Sequence, residues 1–201
     1  MHPDRYDNEA GWAVVSELLS SDDIAETLAI CRRLLALPAH ERDARDRPHG
    51  GTQHLADLDR RSEFVASLVE RPALVDVVAA ILGPTFRRVE VAYRSPQPSF
   101  GSQQLHADDL PRMQPASNTI ATAIVALTAF TTDNGATRLI PGSHRRPDLQ
   151  RRAGSLDTHT DEITLTGAAG TAFVFSGHLL HSGTTNQSAF ERPALQVIWR
   201  T

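Results

Sequence analysis

The sequence predicts a mainly β fold with N-terminal helices, a sandwich or jelly roll with helices buttressing one face. Three observations carry this. Apolar residues in the first third recur at helical spacing, short β-prone segments follow one another from Phe86 onward, and Gly, Pro and Asn stand at the turns between them. A chain of 201 residues suits one domain, with about 1–85 as helical buttress and lid and about 86–201 as the β-core.

The elements follow in order. Trp12-Ala13-Val14-Val15 is a short strand, and Ser20-Ser21-Asp22-Asp23 supplies helix caps before the run Ile24, Leu28, Cys31, Leu34, Leu35. Pro38 ends that helix. A polar loop from Ala39 to Asp59 carries the charge run Glu41 to Arg47 and then Pro48-His49-Gly50-Gly51. It reads as a solvated face that can also serve as a lid, and its His49 and His54 are either solvated or substrate contacts. A second helical region spans 62–82, divided by Pro72 and stopped by Gly83-Pro84. Strand character then appears at Arg87–Tyr93, Gln103–His106, Thr119–Thr128, Thr171–Phe175 and Ala194–Arg200, with turns at Asn134-Gly135 and Pro141-Gly142.

Composition excludes several classes. The formal charge of -4 provides no basic field for nucleic acid or anionic membrane. The longest mostly apolar stretch, Ile120 to Phe130, is interrupted by threonines and falls well short of the roughly 20 residues that span a bilayer. The polar start, Met1 to Arg5, lacks the apolar core of a secretory signal, and the one cysteine, Cys31, reads as a small buried hydrophobe. A cytoplasmic location is the default expectation. All 20 basic residues are arginine, so any cationic anchor for a carboxylate is an arginine, and lysine Schiff-base chemistry is excluded.

The chemistry concentrates in His106-Ala107-Asp108, in His178-Leu179-Leu180-His181, and in Arg192. On an extended segment residues i and i+2 share a side, so His106 and Asp108 can converge on one ion while Asp109 has the wrong parity. One of the two downstream histidines would complete two imidazoles and a carboxylate, a facial set that leaves octahedral positions open. Arg192, if buried, needs an anion: either an internal carboxylate or a bound dicarboxylate held by a bidentate clamp. Spacing alone leaves the metal and the reaction undecided.

The segments Gln104 to Asp108, Asp133-Asn134-Gly135-Ala136-Thr137-Arg138-Leu139-Ile140-Pro141-Gly142-Ser143-His144-Arg145, and His181 through Asn186 to Arg192 together resemble the phytanoyl-CoA dioxygenase family of Fe(II)- and 2-oxoglutarate-dependent oxygenases. The middle segment is the most family-specific, and the likeness covers about the C-terminal half. It implies a double-stranded β-helix, with His106, Asp108 and His181 as iron ligands and Arg192 on the distal carboxylate of 2-oxoglutarate. His181 is thereby selected over His178. It also implies oxidation of a small organic molecule with O2, most commonly hydroxylation. Halogenases related to this family have Gly or Ala where Asp108 stands, so halogenation is not expected.

Two positions depart from the family pattern. Gly183 replaces a serine that often helps hold the co-substrate, which passes that role to Ser182, Thr184 or water. Ile124 stands near a place often filled by a bulkier side chain. Gln104 shares the parity of His106 and is expected either at the iron pocket or in packing. His144, Asn134 and Gly135 belong to turns, and Asn186 ties the loop after His181. An arginine-only composition fits a GC-rich bacterial genome and a tailoring role in specialised metabolism. A cupin-like metal enzyme without 2-oxoglutarate, or a non-catalytic jelly-roll binding domain, are the rival readings.

Overall fold

The computed structural model describes residues 5–109 and 118–201. The polar start, Met1 to Asp4, lies outside the described residues. Strand β1 (Trp12–Val15) leads into helix α1 (Ser21–Leu35), which opens on a capping box: Ser20 Oγ accepts from Asp23 N–H, and Asp23 accepts from Ser20 N–H. The helix stops at Leu35, before Pro38. An edge strand, β2 (Thr52–Leu55), is followed by three helices, α2 (Leu58–Arg61), α3 (Glu63–Leu68) and α4 (Pro72–Leu82). Pro72 thus sits in the first turn of α4, where its missing N–H has no partner to lose. Arg71, at the head of α4, pairs with Asp23 at the head of α1 at 2.9 Å and so fixes the two helices together.

The remaining strands are β3 (Arg87–Pro96), β4 (Ile120–Ala126), β5 (Thr137–Leu139), β6 (Ile163–Thr164), β7 (Ala172–Ser176), β8 (His181–Gly183) and β9 (Ala194–Arg200), with a short helix α5 (Pro147–Gln150) between β5 and β6. They form a six-stranded sheet in the order β1-β7-β4-β9-β3-β2 and a three-stranded sheet in the order β6-β5-β8, all antiparallel. The chain changes sheet at Asn134-Gly135, so this turn joins the two layers instead of closing a hairpin between paired neighbours.

Strand parity divides the large sheet into two faces. Val91, Tyr93, Ala121, Ala123, Val125, Val174, Leu195, Val197 and Trp199 pack under the helices with Ile30, Cys31, Leu68, Leu74 and Val78. Burial raises the Cys31 thiol to about 12, in keeping with a packing role. The other face turns Trp12, Val14, Phe173 and Phe175 toward the small sheet, where Phe130, Leu139, Leu165 and Leu179 meet them. At the open end of that face, the same parity exposes Glu90, Arg94, Ile124, Gln196 and Ile198 to a cavity.

Two expectations are corrected. The 39–59 loop is not simply a solvated charge run: it contains β2, and Asp46 is buried, accepting from Ala56 N–H at 2.8 Å and pairing with Arg61 at 2.7 Å. Gln103 to His106 does not form a strand. Only His106 makes a bridge, an isolated antiparallel one to His181, because Leu105 N–H is instead drawn to the Ser155 carbonyl. Among the described residues, no helix is long and apolar enough to cross a membrane.

Candidate metal and co-substrate site

His106 and His181 are brought together by a reciprocal backbone pair, His106 N–H to His181 O at 2.9 Å and His181 N–H to His106 O at 2.8 Å. Their ring centroids lie 4.5 Å apart. Asp108 is held next to them by its own N–H, which donates to the Gly177 carbonyl at 2.7 Å. One ligating atom from each of His106, Asp108 and His181 falls within 4.8 Å of the others, and His181 Nε2 stands 3.5 Å from Asp108 Oδ1.

The imidazoles are oriented for metal binding. His106 Nδ1–H donates to the Gln104 carbonyl at 2.8 Å and His181 Nδ1–H to the Leu179 carbonyl at 2.9 Å. A carbonyl only accepts, so each Nδ1 carries a proton and each Nε2 is the atom left to bind a metal. Thr122 Oγ1, fully buried on β4, donates to Asp108 Oδ2 at 2.5 Å. Burial by itself would raise the Asp108 carboxyl. In the metal-free protein the charge of a protonated His181 and the hydrogen bonds from it and from Thr122 outweigh burial and hold the group at about 2. A metal ion would take the place of that proton on His181 Nε2. Burial, then the neighbouring His181, lower His106 and keep it neutral, the form a metal needs.

The segment before His181 is positioned by the Pro141 to Arg145 turn. Ser143 Oγ accepts from Leu180 N–H at 2.8 Å, and Gln150 Nε2 donates to the carbonyls of Ser143 and His178. His144 is largely enclosed near Gly11, and Arg145 pairs with Glu9. This turn is therefore a clamp on the ligand strand, and His144 stays out of the metal set. His178 also faces elsewhere, toward Thr119 Oγ1 at 3.0 Å.

Arg192 is 6% exposed, and its guanidinium carbon stands 4.2 Å from the centroid of the Phe130 ring. Among the described residues, its Nε and Nη1 are buried without a hydrogen-bond partner. Burial, reinforced by the positive charge of Arg94, pulls its pKa down to about 10. Two buried donors of a cation left unsatisfied are costly, on the order of several kcal/mol, unless an anion completes them. Arg192 lines the same cavity, of about 680 Å³, as His106, Asp108 and His181.

The other expected pocket residues divide. Gln104 lines the cavity, and its carbonyl also orients His106. Thr184 is not among the lining residues, because its hydroxyl donates to the Ala136 carbonyl at 2.8 Å. Ser182 Oγ is likewise occupied, accepting from Arg138 Nε at 2.8 Å. Thr137, opposite Gly183 in register, is a lining residue within the family-specific segment to which the sequence alone assigns no role. The glycine at 183 has a steric cause: a Cβ there would meet the Gly101 carbonyl oxygen at 2.5 Å, because Gln103 N–H donates to the Gly183 carbonyl and its side chain accepts from Gly183 N–H. Gly135, at φ +80°, lets Asn186 pack against its backbone, and Asn186 in turn ties Pro96, Phe190 and Ser188 together. His49 lines the cavity at its rim; His54 Nδ1–H donates to the Arg45 carbonyl at 3.0 Å.

An antiparallel jelly roll whose open end gathers two imidazoles and one carboxylate defines a protein with a mononuclear, two-histidine one-carboxylate metal centre, the type used by non-haem iron oxygenases. The family model for phytanoyl-CoA dioxygenase (PhyH) matches residues 8–194, and the chain belongs to that family. The dioxygenase trt7 of Aspergillus terreus is 34% identical over 155 residues, 72% of this chain and 52% of that protein. The ectoine dioxygenase of Nocardia farcinica is 24% identical, across 95% of this chain and 74% of its own length. The chain thus spans about half the length of the fungal relative and about three-quarters of the bacterial one. Among solved structures, the α-ketoglutarate-dependent epimerase SnoN from nogalamycin biosynthesis superposes with a TM-score of 0.77 at 23% identity, covering 98% of this chain and 80% of SnoN. HygX of Streptomyces hygroscopicus, solved with nickel and 2-oxoglutarate, gives 0.77 at 16% identity, covering 96% and 84%. At these identities the superpositions establish the fold.

Proposed function

We propose that this chain is an Fe(II)- and 2-oxoglutarate-dependent dioxygenase that hydroxylates a small organic molecule. The observation that carries this reading is Arg192. A buried guanidinium with two unpartnered donors, facing the same cavity as a facial ligand set, fits the far carboxylate of a dicarboxylate whose other end reaches the metal. A metal enzyme with no acidic co-substrate has no use for that cation.

His106 Nε2, His181 Nε2 and the Asp108 carboxylate would hold the ion, leaving the remaining positions open. When bound, Fe(II), 2-oxoglutarate and O2 supply the oxidising power to functionalise a C–H bond, with succinate and carbon dioxide leaving. The protein's own residues do the rest. The Gln104 and Leu179 carbonyls aim the imidazoles, Thr122 steadies the carboxylate, and Arg192 over Phe130 sets the depth of the co-substrate. Thr137 and Ile124 wall the cavity where the Thr184 hydroxyl does not reach.

Anaerobic calorimetry with Fe(II) and then 2-oxoglutarate, followed by a succinate assay in air, tests this. Metal-dependent binding of 2-oxoglutarate and iron-dependent succinate formation are expected, and both are expected to vanish in His106→Ala and Asp108→Ala. A wild-type protein that binds Fe(II) but shows no affinity for 2-oxoglutarate would refute the proposal.

A further inference from the structure

The cavity that holds Arg192 holds a second arginine. Arg94 lies on β3, with its side chain on the cavity face beside Glu90. Its Nη1 donates to Gln196 Oε1 at 3.2 Å, a neutral partner on the adjoining strand. Among the described residues, no carboxylate lies within 4.0 Å of its guanidinium; Glu90 and Asp108 act on it only from farther away. A guanidinium has five N–H donors, and among the described residues one neutral acceptor engages one of them. The fork is held in place by Gln196 and presented to the cavity.

Position separates the two cations. Arg192 precedes β9, with its guanidinium against Phe130 in the core between the sheets. Arg94 is one strand further out, on β3, next to the edge strand β2 and the His49–Thr52 turn that forms the rim. A dicarboxylate with one end at the metal and the other on Arg192 leaves Arg94 without an anion. The cavity walls mix polar side chains, among them Glu90, Gln104 and Gln196, with the aliphatic Ile124 and Ile198, and the described lining contains no Phe, Tyr or Trp ring. Such a wall offers no ring to stack a flat aromatic molecule, and it suits a small molecule with a short carbon skeleton and polar groups.

We infer that Arg94 is the specificity-determining residue for the oxidised substrate, which is a small organic acid whose carboxylate docks on the Arg94 fork. The inference rests on the assignment of Arg192 to 2-oxoglutarate. Arg94 touches the substrate at a distance from the reacting carbon and so anchors it, with Gln196 as the positioning residue that keeps the fork aimed.

The test uses the full chain loaded with Zn(II) and saturated with 2-oxoglutarate, so that binding is read without turnover. Ligand-observed NMR is run against matched sets of short hydroxy and amino acids, their primary amides and the corresponding phosphate esters. Acids are expected to bind at least about tenfold more tightly than their amides. In R94Q that preference is expected to disappear while 2-oxoglutarate affinity stays within about twofold, and R94K, which keeps the charge but loses the fork, should fall between. Amides or phosphate esters binding as well as the acids, or no acid binding at all, would overturn the inference. So would a loss of 2-oxoglutarate affinity in R94Q as large as that in R192M, which would assign Arg94 to the co-substrate. Failure of the wild-type protein to bind 2-oxoglutarate is a separate result that removes the reading of Arg192 and the inference with it.

Discussion

Replacing Thr122 by valine isolates the role of one hydrogen bond in holding the metal. The side chain is fully buried on β4, and its hydroxyl donates to Asp108 Oδ2 at 2.5 Å. Valine preserves the branched shape, so the packing between Thr122 and its neighbours survives, and only the donor is lost. Two effects then oppose one another. Without the donor the carboxylate becomes more basic, which strengthens its bond to a cation. It also becomes free to rotate away from the shared locus of His106 and His181. Hydrogen bonds to ionised acceptors are worth about 1.5–3 kcal/mol, and groups that orient a metal ligand typically account for roughly 10–100-fold in affinity. Orientation therefore dominates, and Fe(II) affinity is expected to fall by about 10–100-fold in Thr122→Val and to recover in Thr122→Ser. Because Asp108 sits at about 2, a modest upward shift leaves it ionised near neutrality. The loss should accordingly be the same at pH 6.5 and 8. Anaerobic Fe(II) titration reads the affinity, and thermal melting of the metal-free protein checks that the fold is intact. Affinity unchanged or tighter in the valine variant, with normal melting, would show that Asp108 is positioned by other groups.

Other perturbations follow from the same geometry. Arg192→Met should stabilise the ligand-free protein by about 1 kcal/mol or more, because it removes a buried unsatisfied cation, while abolishing the rise in melting temperature that 2-oxoglutarate confers; a variant less stable than wild type without ligand argues for an internal partner. Gly183→Ser should cost about 1–3 kcal/mol and loosen the 101–103 segment, since its Cβ meets the Gly101 carbonyl at 2.5 Å; unchanged melting and hydrogen exchange there would contradict the steric account. Asp23→Ala removes both the α1 capping box and the pair with Arg71, and should cost roughly 1–3 kcal/mol in urea unfolding at neutral pH. The hydrogen bond from Arg71 comes first in holding that carboxyl at about 2, against an ordinary 3.8, so its contribution is present above pH 3.8 and drains away as pH falls toward 2. Wild type and variant should converge over that interval; a constant difference down to pH 2 would locate the effect elsewhere.

The parts of the site legible in the sequence are those governed by local rules. The H-x-D spacing places His106 and Asp108 on one side of an extended segment, and the structure keeps that parity although only His106 is bridged. The longer strands β3, β4, β7 and β9 are readable from β-propensity and turn residues, as is the helix that Ser20 and Asp23 cap. Of the short strands only β1, with its unbroken apolar run Trp12–Val15, is legible in the sequence. The strand β2 is hidden in a polar loop, β5 lies between two turn signals, and β6, with two residues, carries no pattern. Asp46 looked like one more charge in a solvated run, because its partner Arg61 lies across the fold.

What the sequence determined by itself is the inventory of chemistry: two imidazoles, one carboxylate, arginine as the sole strong cation, and turns at Asn134-Gly135 and Pro141-Gly142. What only the tertiary structure decided is which groups remain free to use it. Thr184 and Ser182 are consumed by Ala136 and Arg138, Gly183 is forced by a neighbouring backbone, and Arg192 and Arg94 are left lining the cavity with no carboxylate paired to them among the described residues. The physical reason is that hydrogen-bond satisfaction is settled between residues far apart in sequence. A donor's availability is therefore a property of the packed fold, not of the residue that carries it.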